Sequence, residues 1–360
     1  MRTTSLPSLR ERADQTLNDI ERLFALPNLP GNYRERANGG GPAFAWAHGV
    51  LFSAFVAVAR WDKPRYLPRL LRHFDALQTY WHPAGPTPGY NASRVAPGQG
   101  PDRYYDDNAW LLLAFHDAHT LTGDARFDRA ARAALAFVLS GYDPQTGGGL
   151  YWHEQEKRSK NTASTAPGLV GVLAFAARES GRPEPWSVQA RRLYAWLHAT
   201  LRDPADGLYW DNIHTRDGQI ERAKWSYNSA LVLRAELGLY QLWGAREYHD
   251  RAAALADACV ARWFDPAVGT LKDDASFAHL LAEALLETSA VTGIARYRNV
   301  VRTTLDNLWL TVRRPDGGYP KRWDPRANDN SPTELLWIAS AARAYAYAAP
   351  YLDEGGRPPR

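Results

Sequence analysis

Two adjacent carboxylates, Asp106 and Asp107, stand in the run RYYDDNAW at 103–110. Glycoside hydrolysis needs two carboxyl groups in different protonation states: one ionised, to attack or stabilise the sugar carbon, and one protonated, to donate to the leaving oxygen. Neighbouring acids couple, so their titration belongs to the pair. The member nearer a helix N-terminus is favoured as the anion, and its partner then keeps its proton to higher pH. Consecutive residues suit the roughly 5 Å separation of a retaining enzyme and are too close for most inverting arrangements. Asp is equally a good N-cap, and a second acid in the first turn complements the helix dipole, so position alone also supports capping. Two features favour chemistry. Tyr104 and Tyr105 precede the pair, and aromatic side chains suit both a sugar subsite and partial desolvation of one acid. The pair also heads a buried helix starting near Asn108.

Other chemistry-bearing residues are weaker. His116 and His119, three apart, share a helix face, but no third ligand accompanies them, so packing or hydrogen bonding is expected and no metal site is assigned. Asp273 and Asp274 form a second acidic pair at another helix entrance. Capping is favoured there, with contact to a substrate hydroxyl as the alternative. Trp152 and Trp210 recur at equivalent repeat positions, which reads as repeat packing more than sugar stacking. No P-loop, dinucleotide fingerprint or Gly-x-Ser-x-Gly elbow occurs, and no cofactor is expected.

The elements that must position these residues repeat along the chain. DPQTGGGLYW at 143–152, DPADGLYW at 203–210 and DPAVGTLKDD at 265–274 end alike, and RPDGGYPKRWD at 314–324 is a looser copy. The spacing, roughly 50–60 residues, suits one helical hairpin with its loops. One helix set is amphipathic, at about 9–26, 67–77, 124–139, 186–201, 246–263 and 294–309. The other is apolar nearly all round, at 43–59, 107–121, 167–177, 226–241, 276–290 and 334–349. A helix apolar all round is buried. Six alternations predict an all-α chain, a single domain over 1–360 forming an (α/α)6 barrel, a toroid of six helical hairpins. An open solenoid is the alternative. In such a ring the loops entering the inner helices gather on one face. RYYDDNAW, KNTASTAPG at 160–168, KWSYNS at 224–229 and KDDASF at 272–277 lie on those loops, where functional residues concentrate.

The chain has 360 residues, 45% of them hydrophobic, with net charge +4 and no Lys/Arg block that would mark a nucleic-acid tail. An anionic glycan fits that balance. No run of about 18 apolar residues predicts a membrane span. The single cysteine, Cys259, excludes an intramolecular disulfide and reads as a small core residue. The polar N-terminus carries no apolar signal region, so a cytoplasmic monomer is the expectation, with a leader-trimmed secreted chain as the alternative. Fourteen Trp and eighteen Tyr lean mildly toward carbohydrate.

YYDDNAW resembles the catalytic signature of glycoside hydrolase family 76, the endo-α-1,6-mannanases. GGGLYWHEQEKRSKNTASTAPG is similar to that family's Gly-rich run ending in Lys-Asn, and KWSYNSA to its Trp-x-Tyr-Asn segment. The resemblance implies an (α/α)6 fold, a retaining mechanism and an α-mannan or mannooligosaccharide substrate. It implies Asp106 as nucleophile, Asp107 as acid/base, and Asn161, Trp225, Tyr227 and Asn228 lining the sugar subsites. Where the family often has Ser-Asn-Gly-Pro this chain has Ser164-Thr165-Ala166-Pro167, and where it often has Gln-Gly this chain has Ser229-Ala230. Both changes are expected at substrate contacts. Two other readings stand beside this one: a sugar epimerase of the N-acylglucosamine 2-epimerase type, using His48 and His279, and a non-catalytic glycan-binding protein.

Overall fold

Buried helices in this chain begin by giving their first N–H to a carbonyl of a neighbouring loop. Ala45 N donates to Ala92 O at 2.8 Å, Tyr105 N to Trp152 O at 2.9 Å, Thr162 N to Asp211 O at 2.9 Å and Ala275 N to Lys321 O at 2.7 Å. The first N–H groups of a helix have no partner inside it, so the loops answer a need that the helices create, and each helix mouth is tied to the next repeat.

The computed structural model describes residues 6–179, 184–327 and 329–353. Among them are twelve α-helices: α1 (Leu9–Phe24), α2 (Ala45–Ala59), α3 (Lys63–Leu77), α4 (Tyr105–Thr122), α5 (Ala125–Ser140), α6 (Thr162–Arg178), α7 (Glu184–Trp196), α8 (Ser226–Trp243), α9 (Arg246–Trp263), α10 (Ala275–Thr292), α11 (Ala295–Asn307) and α12 (Leu335–Leu352). The strands are short pieces in the loops. No described helix is long and apolar enough to cross a membrane.

The chain divides into two compact units. One comprises Met1–Ala43, Val50–Ala76 and Val260–Arg360. In it α12 packs on α1, α10 and α11. Fourteen of the eighteen residues of α12 are buried, against four of thirteen in α11. The other unit comprises Phe44–Gly49 and Leu77–Cys259. There α4 packs on α5 and α6, and α6 packs on α7 and α8. Thirteen of the seventeen residues of α6 are buried. Its neighbour α5 buries one face, through Phe127, Ala130, Ala131, Ala134, Leu135, Phe137 and Val138. The two helix classes read from hydrophobic periodicity are therefore present in both units.

Several helix boundaries differ from expectation. Pro167 marks the expected start of α6, because Pro favours the first helical position. The helix instead begins five residues earlier, at Thr162, and its first turn is small and fully buried through Thr162, Ala163, Ser164 and Thr165. The expected helices at 186–201 and 294–309 each end in a π turn, Leu197–Leu201 and Leu308–Val312.

Candidate active site

The helix that carries the acidic pair starts at Tyr105, three residues before the expected position. Its N-cap is Tyr104, which makes no side-chain capping bond. Asp106 and Asp107 therefore occupy the first turn, and neither is the cap. Successive helical residues point about 100° apart while residues three apart share a face, and that geometry sorts the run. Tyr105 and Asn108 turn inward. Tyr105 is 2% exposed and stacks on Phe137, with ring centroids 4.8 Å apart. Asn108 is fully buried and exchanges hydrogen bonds with the Tyr90 backbone, its Oδ1 accepting at 2.8 Å and its Nδ2 donating at 2.9 Å. Asp106 and Asp107 stay half-buried, reached by solvent yet surrounded by protein. The expectation that Tyr105 touches substrate is corrected: it is a core residue, whereas Tyr104 remains beside the acids, its ring 4.9 Å from that of Trp152.

The two carboxyls have different surroundings. Asp106 Oδ2 accepts from Trp152 Nε1 at 2.9 Å, and its Oδ1 accepts from Asp107 N at 3.0 Å. Asp107 accepts no side-chain hydrogen bond from any described residue. Burial pushes Asp106 up to about 6; the two hydrogen bonds oppose that rise, and the charge of Asp211 adds to it. Burial, then the charges of Asp106 and Asp102, hold Asp107 well above the ordinary carboxylate range.

The Trp152 donor is held by a scaffold that reaches back to the same run. Trp152 N donates to Ser159 O at 3.1 Å. Two residues on, Glu154 N donates to Arg103 O at 3.1 Å, and the Arg103 guanidinium grips both Glu154 oxygens at 2.7 Å. Upstream, the Gly-rich turn is anchored by the fully buried Lys160, whose Nζ donates to Asp143 O at 2.6 Å, to Gly148 O at 2.9 Å and to Gln145 O. Gly149 has φ +80°, and a Cβ there would lie 2.6 Å from the Trp196 ring, so the turn needs glycine both for its backbone and for close approach.

A third carboxylate, Asp211, belongs to this site and was not anticipated. Its Oδ1 accepts from Asn228 Nδ2 at 3.2 Å and its Oδ2 from Asn212 Nδ2 at 3.0 Å. Burial raises its pKa. Asn228 is fully buried and acts through Asp211. Asn161, 7% exposed, is the N-cap of α6 without a side-chain capping bond and pairs across the sheet with Asn212. Trp225 is 39% exposed at the N-cap of α8, and Tyr227 is half-buried in that helix's first turn.

Other expectations need correction. Trp152 was read as packing, yet it is 39% exposed and bonded to Asp106. Thr165 and Ser229 were expected at substrate contacts, but both are fully buried. Thr165 Oγ1 accepts from Leu150 N at 3.0 Å and Ser229 Oγ from Tyr209 N at 3.1 Å, so each fastens an LYW segment to a buried helix. Asp274 caps α10, accepting from Ser276 N at 2.9 Å, and Asp273 Oδ1 accepts from Asp274 N at 2.8 Å. Capping, the favoured reading of that pair, is what Asp274 does. The His116 ring packs on Phe175, and His119 Nδ1 lies 3.1 Å from Asp124 O. Among the described residues no group of three His, Cys, Asp or Glu is placed to hold a metal. Cys259 is fully buried.

The arrangement offers one carboxyl biased toward the anion and a neighbour biased toward the acid, flanked by aromatic rings. Replacing Trp152 by Phe keeps a ring and removes the donor that favours the Asp106 anion. The Asp106 pKa then rises, and the acid limb of kcat/KM against pH moves upward by roughly one unit. An acid limb that stays in place in Trp152→Phe removes Trp152 from the machinery.

The sequence profile of Glycosyl hydrolase family 76 matches residues 9–345. Solved structures resemble the chain over nearly its full length. The GH76 α-mannanase of Bacteroides thetaiotaomicron, solved as a selenomethionine derivative, is 25% identical with a TM-score of 0.91, covering 97% of this chain and 97% of that one. The α-1,6-mannanase of a Salegentibacter species was solved as an inactive variant, with two consecutive aspartates replaced by asparagine, in complex with α-1,6-mannotriose. It is 21% identical with a TM-score of 0.81, covering 95% of this chain and 99% of that one. No match is found among curated proteins. The helical repeat and these superpositions establish the expected (α/α)6 fold.

Proposed function

Since the chain belongs to glycosyl hydrolase family 76 and is a glycoside hydrolase, we propose that it cleaves α-1,6-mannosidic linkages inside a mannan or mannooligosaccharide, with retention of configuration. The unequal hydrogen bonding of the acidic pair carries the reading. Asp106, held as the anion by Trp152 and by the Asp107 amide, attacks the anomeric carbon. Asp107, kept protonated by burial and by its charged neighbour, gives its proton to the glycosidic oxygen as that bond breaks. The glycosyl–Asp106 ester is then opened by water, which Asp107, now ionised, deprotonates. The inactive Salegentibacter variant, altered at two consecutive aspartates and holding α-1,6-mannotriose, supports both the pair and the linkage. Asp211 and the Tyr104 and Trp225 rings are assigned to sugar contacts on either side of the scissile bond.

A panel of linear α-mannooligosaccharides of defined linkage, followed by chromatography over time, tests the substrate. Mid-chain cleavage of the α-1,6 series alone is expected. Release confined to terminal residues, or cleavage of another linkage, overturns the endo-α-1,6 assignment. The epimerase reading loses its support, because both histidines that motivated it are fully buried: His48 lies against Tyr80, and His279 Nδ1 is 3.1 Å from Ala275 O.

A further inference from the structure

Glu236 and Tyr209 bury polar atoms that no described residue satisfies. Glu236, on α8, is 3% exposed; its Oε1 accepts from the Tyr194 hydroxyl at 3.1 Å, and its Oε2 has no partner among the described residues. Tyr209, 1% exposed, has none there for its hydroxyl. Both line a cavity of about 270 Å³ walled also by Arg202, Asp206, Arg251 and Leu255. Unpaired buried polar atoms are costly, and two facing one cavity call for an occupant.

The charges on the wall decide what that occupant is. Arg202 makes no hydrogen bond or ion pair with a described residue, and its Nη2 would lie 3.3 Å from a Cβ on Gly207. Arg251 Nη1 donates to the Tyr194 hydroxyl at 3.1 Å, and its Nη2 to Glu247 Oε2, outside the cavity lining, at 3.4 Å. Asp206, the other acid on the wall, is engaged, accepting from Lys224 Nζ at 2.7 Å and from Leu208 N at 3.1 Å. The titratable groups around Glu236 are Tyr194 of α7, His198, Arg202, Asp206 and Tyr209 of the segment that follows it, and Glu247, Tyr248, Arg251 and Cys259 of α9. The two arginines are the cations among them; Asp206 is paired with Lys224, and Glu247 with Arg251. Burial pushes Glu236 up to about 8, which favours the protonated carboxyl at neutral pH, and that form can donate, as the Tyr209 hydroxyl can. Beside the lysine-paired Asp206, the cavity thus presents two cations and two neutral donors.

The geometry points to a second ligand site on this chain, between α8, α9 and the loop at 202–209, that binds a small oxyanion of the phosphate class through Arg202, Arg251, Tyr209 and Glu236. It shares no residue with the acidic pair and stands apart from the proposed hydrolysis.

Calorimetric titration of the full chain with inorganic phosphate, with mannose 6-phosphate and with neutral methyl α-mannoside tests it. At pH 6.5 both phosphates bind. Binding persists in Asp106→Asn, survives saturating methyl α-mannoside, and weakens about tenfold or more in Arg202→Gln and in Tyr209→Phe. Arg202→Gln hydrolyses glycan like the parent. Between pH 6.5 and 9 affinity falls as Glu236 ionises, although phosphate itself gains charge over that range. Tyr209→Phe keeps the ring and removes only the hydroxyl, so a loss there is not a folding failure. Absence of binding by both phosphates, or parent-like affinity in Arg202→Gln, overturns the site and leaves a water-filled cavity. Loss of binding in Asp106→Asn overturns it differently, placing the anion at the acidic pair.

Discussion

Asp106→Asn abolishes turnover, with kcat falling roughly ten-thousand-fold or more, because an amide can neither attack the anomeric carbon nor form the ester. Asp107→Asn loses less, about 10²–10⁴-fold on natural glycans, as expected for a missing general acid. The two variants separate on an aryl mannoside whose leaving group needs no proton. Asp107→Asn regains its first step there and accumulates the glycosyl-enzyme, while Asp106→Asn gains nothing. Proton NMR of the parent reaction shows the retained anomer first; initial inversion sinks the mechanism even if both residues prove essential. Stability moves the opposite way. A carboxyl whose folded pKa is raised is stabilising only while protonated, so its contribution is lost as pH rises from about 4 through the folded value, about 6 for Asp106. Asn removes that penalty. Each variant should therefore melt about 2–5 °C above the parent at pH 7, with the gain vanishing near pH 4.

Arg103→Ala should be the most destabilising single change near the site. Arg103 is 1% exposed and supplies two 2.7 Å bonds to Glu154, others to His82 O at 3.2 Å and Ala84 O at 2.9 Å, and a face-on contact with Phe137. Removing it leaves the half-buried Glu154 with Gln155 as its remaining side-chain donor and frees two carbonyls, a loss of about 2–4 kcal/mol, at or below the range for a fully buried pair, read as a fall in Tm of about 5–10 °C. Lysine does not rescue, because a point cation cannot span both carboxylate oxygens. Arg103→Leu combined with Glu154→Leu recovers much of the stability by leaving no orphaned charge. Activity stays low in that double variant if the Arg103–Glu154 clamp sets the position of Trp152. A single variant that melts like the parent refutes the structural role.

The hydrophobic periodicity of segments such as 67–77 was enough to place the amphipathic helices, because burial on one side of a helix is written into spacing. Asp106 and Asp107 were legible as well, because two tyrosines precede them, which sets them apart from Asp273 and Asp274. Their neighbours were not. Tyr105 looked like a subsite residue because sequence adjacency hides the 100° turn per residue that carries it into the core. Trp152 and Trp210 share the LYW motif, and the motif concealed that Trp152 aims its indole N–H at Asp106. The residue after the motif was the missed clue: His153 in one copy, Asp211 in the other. Thr165 and Ser229 misled for the opposite reason. Hydroxyls on buried helices can satisfy remote backbone N–H groups, a long-range demand that no local pattern announces.

Asp106 and Asp107 hang from neighbouring α-carbons, about 3.8 Å apart across one peptide, on a helical turn fixed by the buried Tyr105 and Asn108. Their separation is thus inherited from the covalent repeat of the chain and insulated from whatever the loops do. Insertions, substitutions and thermal breathing around Trp152, Asp211 or Trp225 can change which glycan is held and how deeply. They leave the two carboxyls on adjacent residues, the spacing that suits retention. On the proposed mechanism, a lineage diversifying from this scaffold is free to edit its diet while its stereochemical course stays locked.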